Sequence, residues 1–138
     1  MEDSIQIRPV KAEDLASVAA FLQPFMDAKF ILPRTSVELE LLLRYAFIAE
    51  LNGEVVGFAA VEIYSKKLAE IQCLAVSEKC RRKGVGRQLV SLCVERAKTE
   101  KVREVMAITA TEALFQDCGF EYALPGQKRA LFVQTTDD

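Results

Sequence analysis

The segment from residue 69 to residue 97 constrains the fold of this chain more than any other. Ala69 to Val76 is short and mostly apolar, as a buried strand is, and apolar residues recur at helical spacing from Val85 to Ala97. Between them lies Arg-Arg-Lys-Gly-Val-Gly, residues 81–86. Glycines let a turn expose its backbone N–H groups, and a helix N-terminus adds partial positive charge. The segment therefore predicts a strand, an anion-binding turn and a helix, in that order.

The anion that best fits this turn is a pyrophosphate. A P-loop would need Lys-Ser or Lys-Thr directly after its last glycine, and neither pair follows the glycines of this turn. A dinucleotide-binding fingerprint would need a third glycine where Leu89 stands. On these six residues alone, a solvated basic turn before an ordinary helix is an equal alternative. Five cations lie in or beside the turn: Lys79, Arg81, Arg82, Lys83 and Arg87.

The composition describes one small globular domain. The chain has 138 residues, of which 51% are hydrophobic and 28% charged, so we expect a single domain over residues 1–138. A net charge of −2 and a pI near 5.3 argue against nucleic-acid binding. Because we see neither an apolar run long enough for a membrane span nor a signal-peptide pattern, we expect a cytoplasmic protein without membrane contact.

The cysteines and the missing histidine limit the possible chemistry. The four cysteines form no C-x-x-C pair and the chain has no histidine, so we expect no metal site. We expect reduced thiols, with Cys73 and Cys93 as small core residues. Without histidine there is no Ser-His or Cys-His nucleophile, so a general base must be a carboxylate, a tyrosine, an amine or water.

The rest of the chain predicts strands and helices without repeats or linkers. Thr35-Ser36-Val37-Glu38 is typical of a capping box, and Asn52-Gly53 of a two-residue hairpin turn. Pro24 should end or kink the first helix. The predicted strands are Ser4 to Arg8, Ala46 to Leu51, Glu54 to Ile63, Ala69 to Val76, Arg103 to Thr109, Phe120 to Leu124 and Arg129 to Gln134. The predicted helices are Leu15 to Leu22, Thr35 to Leu43, Val85 to Ala97 and Glu112 to Cys118, the last ended by Gly119.

Three segments resemble the GNAT acetyltransferase superfamily. The glycine turn, Arg81-x-x-Gly84-x-Gly86, resembles its acyl-coenzyme A loop, R/Q-x-x-G-x-G/A. The hairpin over residues 50–57 is a second match, and residues 114–120 are similar to the family's F-Y-x-x-x-G-F element. With the order of elements, the resemblance covers residues 5–133. It implies an α/β (α+β) fold, the GNAT fold, with a central mixed, mostly antiparallel sheet of six to seven strands flanked by about four helices.

The resemblance implies acetyl-CoA as the co-substrate. In the family, the loop amides hold the pyrophosphate of coenzyme A, and pantetheine lies as a pseudo-strand beside a splayed strand, which here is Leu74 to Val76. A backbone N–H near Leu74 would polarise the thioester carbonyl, as an oxyanion hole does. The expected coenzyme A residues are Leu74, Ala75, Val76, Arg81, Arg82, Lys83, Gly84, Val85, Gly86 and Arg87.

The candidate general base is Glu70. It stands in a stretch similar to the strand that carries the catalytic glutamate of the family's histone-acetylating branch, and it would act through a water. A solvated glutamate at a strand edge is the alternative. Many members place a tyrosine in the F-Y-x-x-x-G-F element to protonate the leaving thiolate. Here that position is Phe115, so we expect solvent to supply the proton.

Within the superfamily, four segments resemble the acetyltransferase domain of bacterial N-acetylglutamate synthases. They cover residues 31–40, 67–71, 115–120 and 124–132. The first reads I-L-P-R-T-S-V-E-L-E against that family's L-V-R-R-S-x-E-x-L-E. That family holds the carboxylates of its amino-acid substrate with basic side chains, and two of those positions match Arg34 and Lys67. A third arginine of the family falls on Ala110, which departs from the pattern.

The sequence thus predicts an acetyl-CoA-dependent N-acetyltransferase whose acceptor is the amine of a small amino acid, glutamate first, as in arginine biosynthesis. One alternative is a related enzyme that acetylates a protein N-terminus, lysine or a polyamine. Another is a non-catalytic acyl-CoA-binding module. The acidic pI suits a cationic acceptor, whereas Arg34 and Lys67 suit an anionic one. The oligomeric state stays open, with a homodimer as one option.

Overall fold

The computed structural model describes residues 4–80, 83–109, 111–121, 131 and 133–135. Within these residues the chain forms five strands and four α-helices. The strands are β1 (Ile5–Pro9), β2 (Ala46–Leu51), β3 (Glu54–Ile63), β4 (Leu68–Val76) and β5 (Glu104–Met106). The helices are α1 (Leu15–Asp27), α2 (Ser36–Leu42), α3 (Val85–Thr99) and α4 (Glu112–Asp117). Short 3-10 turns cover Ala12–Asp14, Leu43–Tyr45 and Glu78–Cys80.

The five strands form one sheet in the order β1-β2-β3-β4-β5. All pairs are antiparallel except β4 and β5, which run parallel. Helices α1 and α2 pack on one face of the sheet around Leu22, Leu39 and Phe58. Helices α3 and α4 cover the other face around Leu89 and Phe115. The predicted fold, a mixed and mostly antiparallel sheet between helices, is confirmed.

The sheet has fewer strands than the six to seven that the sequence predicted. The predicted final hairpin, Phe120 to Leu124 and Arg129 to Gln134, lies largely outside the described residues. The strand predicted from Arg103 to Thr109 is only three residues long, Glu104–Met106. It is short because its one strand neighbour in the described sheet, β4, stays paired with it for three residues only.

Local sequence signals account for most element boundaries. The capping box before α2 is present, since the Glu38 N–H donates to Thr35 Oγ1 at 3.2 Å and the Thr35 N–H donates to Glu38 Oε1 at 2.8 Å. Asn52 and Gly53 both have positive φ, 53° and 81°, as the predicted two-residue hairpin turn requires. Pro24 was predicted to end or kink the first helix, and the structure shows that the helix does not end there. Pro24 lies in the last turn of α1, and the Pro24 carbonyl still accepts the Ala28 N–H at 3.0 Å.

The cysteines match their predicted state. All four are free thiols, and Cys73, Cys80 and Cys93 are buried. Burial raises the pKa of the Cys93 thiol to about 12. Among the described residues we find no helix that combines the length and the apolar character needed to cross a membrane.

A charged cluster ties β1 to the turn before α1 and to β2. The Arg8 guanidinium donates to both oxygens of Asp14 at 2.9 and 3.0 Å, and to Glu50 Oε1 at 2.8 Å. Asp14 also accepts the backbone N–H of Lys11 at 2.7 Å. The hydrogen bonds from Arg8 hold the pKa of the Asp14 carboxyl at about 2, below its usual value.

Removing this carboxylate should produce a pH-dependent loss of stability. We expect Asp14→Asn to lower the free energy of unfolding by about 1–3 kcal/mol at pH 7, because charged hydrogen bonds are lost. A carboxylate whose pKa is lowered by folding stabilises the native state fully above its unfolded pKa. That stability is lost as the pH falls through its folded pKa. Urea unfolding should therefore show the two proteins converging as the pH falls from about 4 to about 2. Asp27→Asn, at an exposed position, is the control, and an Asp14→Asn deficit independent of pH would contradict the assignment.

Candidate active site

The pairing of β4 with β5 ends at Glu70, and we call the edge of β4 beyond that point, which β5 does not pair with, the gap. Their parallel pairing ends with Glu70 opposite Met106, although β4 continues to Val76. Over residues 71–76, the edge of β4 toward β5 has no strand partner among the described residues. Its backbone N–H and C=O groups must find other partners. An extended ligand with amide groups can pair with such an edge as an added strand.

The N-terminus of α3 lies beside the far end of this edge. A Cβ built on Gly86 would stand 3.6 Å from Val76 Cγ2 and 3.4 Å from Leu114 Cδ2, so the first turn of α3 abuts both β4 and α4. Gly84 caps the helix with a φ of 76°, and no described atom lies within 4 Å of where its Cβ would be. The first N–H groups of a helix have no acceptor inside it. The N-terminus of α3 thus has N–H groups to offer a ligand, and anion binding by the turn stays a prediction.

A β-bulge decides which face each residue of β4 presents. Cys73 and Leu74 together lie opposite Ala59, and Cys73 has a φ of 57°. Before the bulge, Ala69 and Ile71 pack on the α3 side, which by strand alternation turns Glu70 and Gln72 to the α1–α2 side. From the bulge onward, Leu74 and Val76 pack on the α3 side, whereas Cys73 and Ala75 pack on the α1–α2 side.

The remaining predicted coenzyme A residues have different surroundings. The Val85 side chain is buried in the core, so only its backbone N–H could serve a ligand. Lys83 is exposed, and Arg87 forms an exposed ion pair with Asp117 at 3.0 Å. Arg81 and Arg82 lie outside the described residues. The described turn thus offers backbone donors and two cations, one of them paired with α4.

Five polar side chains gather where the gap begins, on the α1–α2 side. Glu62 and Glu70 are direct cross-strand partners in β3 and β4. The Tyr64 hydroxyl donates to Glu70 Oε1 at 2.6 Å. The Gln72 amide donates to Glu62 Oε1 and to the Tyr64 oxygen, each at 3.3 Å. Arg34 Nη2 donates to Gln72 Oε1 at 2.5 Å. We call Arg34, Glu62, Tyr64, Glu70 and Gln72 the polar cluster.

Arg34 reaches the polar cluster from the loop before α2. It immediately precedes Thr35, the N-cap of α2, and its own backbone N–H donates to Met26 Sδ at 3.2 Å. The helix cap and this hydrogen bond together fix the backbone of Arg34. Its Nε atom is buried without a hydrogen-bond partner among the described residues. A buried donor without an acceptor is costly, which makes Arg34 receptive to an anionic group. It lines a cleft of about 360 Å³ with Glu38, Arg44, Glu62 and five apolar or aromatic neighbours.

Two pKa shifts describe the electrostatics of this region. Desolvation, the hydrogen bond to Glu70 and the charges of Glu70 and Glu62 raise the pKa of Tyr64 to about 12. Burial raises the pKa of the Cys73 thiol, although the nearby Arg34 opposes that effect. Both groups therefore stay protonated near neutral pH. Tyr64 is a hydrogen-bond donor under those conditions, and Cys73 is not an activated nucleophile.

The structure brings two of the predicted site residues, Arg34 and Glu70, into one hydrogen-bonded group. Lys67 is exposed in the loop between β3 and β4, and its backbone N–H donates to Ser65 Oγ at 3.0 Å. Phe115 is 5% exposed and packs edge-to-face on Phe120, with ring centroids 5.3 Å apart. It is therefore a core residue. Its phenyl ring has no proton to donate to a leaving group. Ala110 lies outside the described residues.

Sequence reasoning missed three members of the polar cluster. Gln72 carried a usable signal, because it is polar within an apolar strand and stands two residues after Glu70, on the same face. Glu62 becomes informative only when the register of the hairpin is known. Tyr64 follows β3 and gave no local signal. The described residues contain no group of three or more His, Cys, Asp or Glu side chains placed to hold a metal ion.

Comparison with known proteins identifies the family. Residues 15–120 match the Acetyltransferase (GNAT) family. An uncharacterized N-acetyltransferase of Chlorobaculum tepidum is 30% identical over 115 residues, which are 83% of this chain and 74% of that protein. The amino-acid acetyltransferase of Photorhabdus laumondii is 29% identical over 138 residues, 96% of this chain but 31% of that protein. The chain therefore spans under a third of the length of that relative.

Among solved structures, the N-acetylglutamate synthase of Neisseria gonorrhoeae, complexed with coenzyme A and N-acetyl-glutamate, is similar with a TM-score of 0.74. It is 26% identical, and the match covers 85% of this chain and 28% of that chain.

Proposed function

The chain belongs to the acetyltransferase (GNAT) family, and we propose that it moves the acetyl group of acetyl-CoA to the amine of a small amino acid, with glutamate the first candidate. One observation carries this proposal. The gap, where pantetheine would lie, begins at Glu70, the predicted base. A donor thioester in the gap and an acceptor amine at the polar cluster would therefore meet at the same point of β4. The similarity to the Neisseria enzyme, bound to coenzyme A and N-acetyl-glutamate, supports this arrangement.

The donor half of the proposed site uses backbone groups. The amides of the turn from Arg81 to Arg87 and the first turn of α3 would hold the pyrophosphate, with the helix dipole adding to the attraction. Pantetheine would pair with the open edge of β4 over Leu74 to Val76. A backbone N–H near Leu74 would then donate to the thioester oxygen and stabilise the tetrahedral oxyanion.

The acceptor half uses the polar cluster. Glu70 would take a proton from the acceptor ammonium, through a water, and leave the neutral amine to attack the thioester carbonyl. The nitrogen of the tetrahedral intermediate would then lose its second proton to water, and the intermediate would collapse by breaking the carbon–sulfur bond, which releases coenzyme A as a thiolate. Since Phe115 has no proton to give, solvent would protonate that thiolate.

Arg34 is the proposed partner of the acceptor carboxylate, with Lys67 as a second cation. The guanidinium presents a planar fork of donors, and its buried Nε has no partner among the residues that the structure describes. For glutamate, which carries two carboxylates, the missing family arginine at Ala110 removes one contact. That departure weakens the case for glutamate, but Arg34 and Lys67 still suit an anionic acceptor. On their account we propose glutamate, and with it a place in arginine biosynthesis, as the first acceptor to be tested.

A second candidate acceptor is cationic, such as lysine or a polyamine. The observation that favours it is the charge of the cleft. Glu62 lies directly opposite Glu70, and Glu38 lines the same cleft as Arg34. These carboxylates would attract a second ammonium group as well as the reacting one. An acetyl-CoA turnover assay across the amino acids and polyamines, followed by thiol release, decides between the two acceptors and a module without activity.

Replacing Arg34 should separate the acceptor candidates. Loss of a charged hydrogen-bond partner costs about 1.5–3 kcal/mol, so KM for glutamate should rise on the order of tenfold to a hundredfold in Arg34→Ala while KM for acetyl-CoA stays constant. Arg44→Ala is the matched control, because Arg44 lines the same cleft but stacks on the Tyr45 ring at 5.1 Å. Steady-state kinetics with each substrate varied in turn measure both effects.

The opposite outcome is equally informative. If the parent acetylates lysine or a polyamine better than glutamate, and Arg34→Ala improves that reaction, the glutamate assignment is wrong and the cationic acceptor stands. Ala110→Arg, which restores the arginine of the N-acetylglutamate synthases, should improve glutamate use if only that contact is missing.

A further inference from the structure

The polar cluster contains an unbroken hydrogen-bonded path from Arg34 to Glu70. Arg34 donates to the Gln72 amide oxygen, and the Gln72 amide nitrogen donates to the Tyr64 oxygen at 3.3 Å. The Tyr64 hydroxyl then donates to Glu70 at 2.6 Å. The path joins the proposed carboxylate-binding residue to the proposed base through two side chains that have no assigned role.

Gln72 is suited to the centre of this path by its chemistry. It is 8% exposed, and in the part of the chain that the structure describes no other polar or charged residue is buried. Its oxygen can accept from a guanidinium while its nitrogen donates to a phenol and to a carboxylate. A glutamate could not donate while ionised, and a leucine could do neither. A buried amide is costly unless its hydrogen bonds are made, and here both ends of the amide have partners.

Tyr64 is suited to orient a carboxylate. Although the residue is 50% exposed, its hydroxyl donates to Glu70 Oε1, which leaves Oε2 without a hydrogen bond from Tyr64. Because the pKa of Tyr64 is raised to about 12, the phenol keeps its proton throughout the range in which acetyl transfer to an amine is measured. Its hydroxyl therefore remains a hydrogen-bond donor to Glu70 over that range.

We propose that Tyr64 and Gln72 are positioning residues that fix the Glu70 carboxylate for proton transfer and couple its orientation to Arg34. This inference rests on the proposed function, because Glu70 and Arg34 have their roles there. Neither residue gains or loses a proton in the reaction. Arg34 would bind the acceptor carboxylate and also donates to Gln72. Acceptor binding would therefore be linked, through Gln72 and Tyr64, to the orientation of Glu70.

Tyr64→Phe removes one hydroxyl and tests the first half of the proposal. We expect kcat to fall about tenfold, with KM for acetyl-CoA unchanged. A hydrogen bond to the ionised form of an acid favours that form, so its loss should move the acidic limb of the kcat/KM profile to higher pH. Tyr45→Phe is the matched control, since the Tyr45 hydroxyl contacts Glu100 at 3.4 Å, outside the polar cluster. An unmoved acidic limb in Tyr64→Phe would overturn the positioning role.

A second measurement tests the Tyr64–Glu70 contact without any acetyl acceptor. In protein labelled with 13C at the tyrosine ring carbon bonded to oxygen, the Tyr64 signal is the one lost in Tyr64→Phe. Glu70→Gln should lower the pH at which this signal titrates toward that of an ordinary tyrosine, near pH 10. If titration is the same in both proteins, the contact does not exist in solution. If it shifts while no amino acid is acetylated, the proposed function fails and the contact stands.

Coupling to Arg34 is tested by combining the two substitutions. If the path through Gln72 links the residues, the loss in kcat/KM for Arg34→Ala with Tyr64→Phe should be smaller than the product of the two single losses, by about threefold or more. In a Gln72→Met background, whose folding is checked by thermal melting, the loss in kcat/KM of the double variant should equal the product of the two single losses. Multiplicative losses in the parent would overturn the coupling, and an unfolded Gln72→Met protein leaves that first cycle as the deciding test.

Discussion

Glu70→Gln should reduce kcat on the order of 10²–10⁴-fold, the usual range for removal of a general base. The amide keeps the size of the side chain and can still accept from Tyr64, so the hydrogen bond seen at 2.6 Å can persist while the ability to take a proton is lost. KM for acetyl-CoA should hardly change, because the donor is expected to bind along the backbone of β4. Thiol release under saturating substrates, from about pH 6 to pH 10, measures the effect.

Glu62→Gln is the matched control for that experiment. Glu62 lies directly opposite Glu70, shares its face of the sheet and carries the same group. It accepts from Gln72, and its charge helps to raise the pKa of Tyr64, but among the described residues Tyr64 donates its hydrogen bond to Glu70 and not to Glu62. We expect a loss of less than tenfold in Glu62→Gln. If instead Glu62→Gln shows the larger loss and Glu70→Gln remains within tenfold of the parent at every pH, then Glu62 is the base and the assignment of Glu70 is wrong.

The second large effect is expected at Gly84. Coenzyme A should raise the melting temperature of the parent, since a ligand that binds only the native state stabilises it by mass action. Gly84→Asp adds a Cβ and a negative charge where the pyrophosphate and the backbone must approach each other. The space around this position is open in the structure, so the folded protein can hold the new side chain but the ligand site cannot. The coenzyme A shift should disappear.

Gly53→Asp provides a control with the same backbone cost. Gly53 has a φ of 81°, against 76° at Gly84, and open space around its Cβ position, but it lies in the turn between β2 and β3. This variant should lose a similar amount of stability and keep the coenzyme A shift. Gly84→Asn separates charge from conformation, because asparagine tolerates positive φ and adds no charge. Equal coenzyme A shifts in Gly84→Asp and the parent would remove the turn from the donor site.

The elements of this fold follow from the amino-acid sequence where the physical cause is local. The capping box places the start of α2, the Asn-Gly pair places the turn between β2 and β3, and the glycine turn precedes α3, because each depends on residues within a few positions. At Pro24 the local expectation of a helix end fails for the opposite reason. A proline at this position removes one backbone hydrogen bond. The buried side chains of Val18, Leu22 and Met26 pack on the sheet on both sides of it, and α1 continues to Asp27.

The assembly of the candidate site depends on contacts between segments that are distant in the sequence. Arg34 could be singled out from its sequence context, as Glu70 could, but nothing local indicates that Gln72 and Tyr64 connect them. The bulge at Cys73 turns Leu74 and Val76 to the α3 side, and the end of the β4–β5 pairing places the start of the gap at Glu70. These features arise from strand pairing between distant segments, whose register no short stretch of sequence specifies. The fold was therefore readable from local patterns, whereas the hydrogen-bonded path through Tyr64 and Gln72 became visible only in three dimensions.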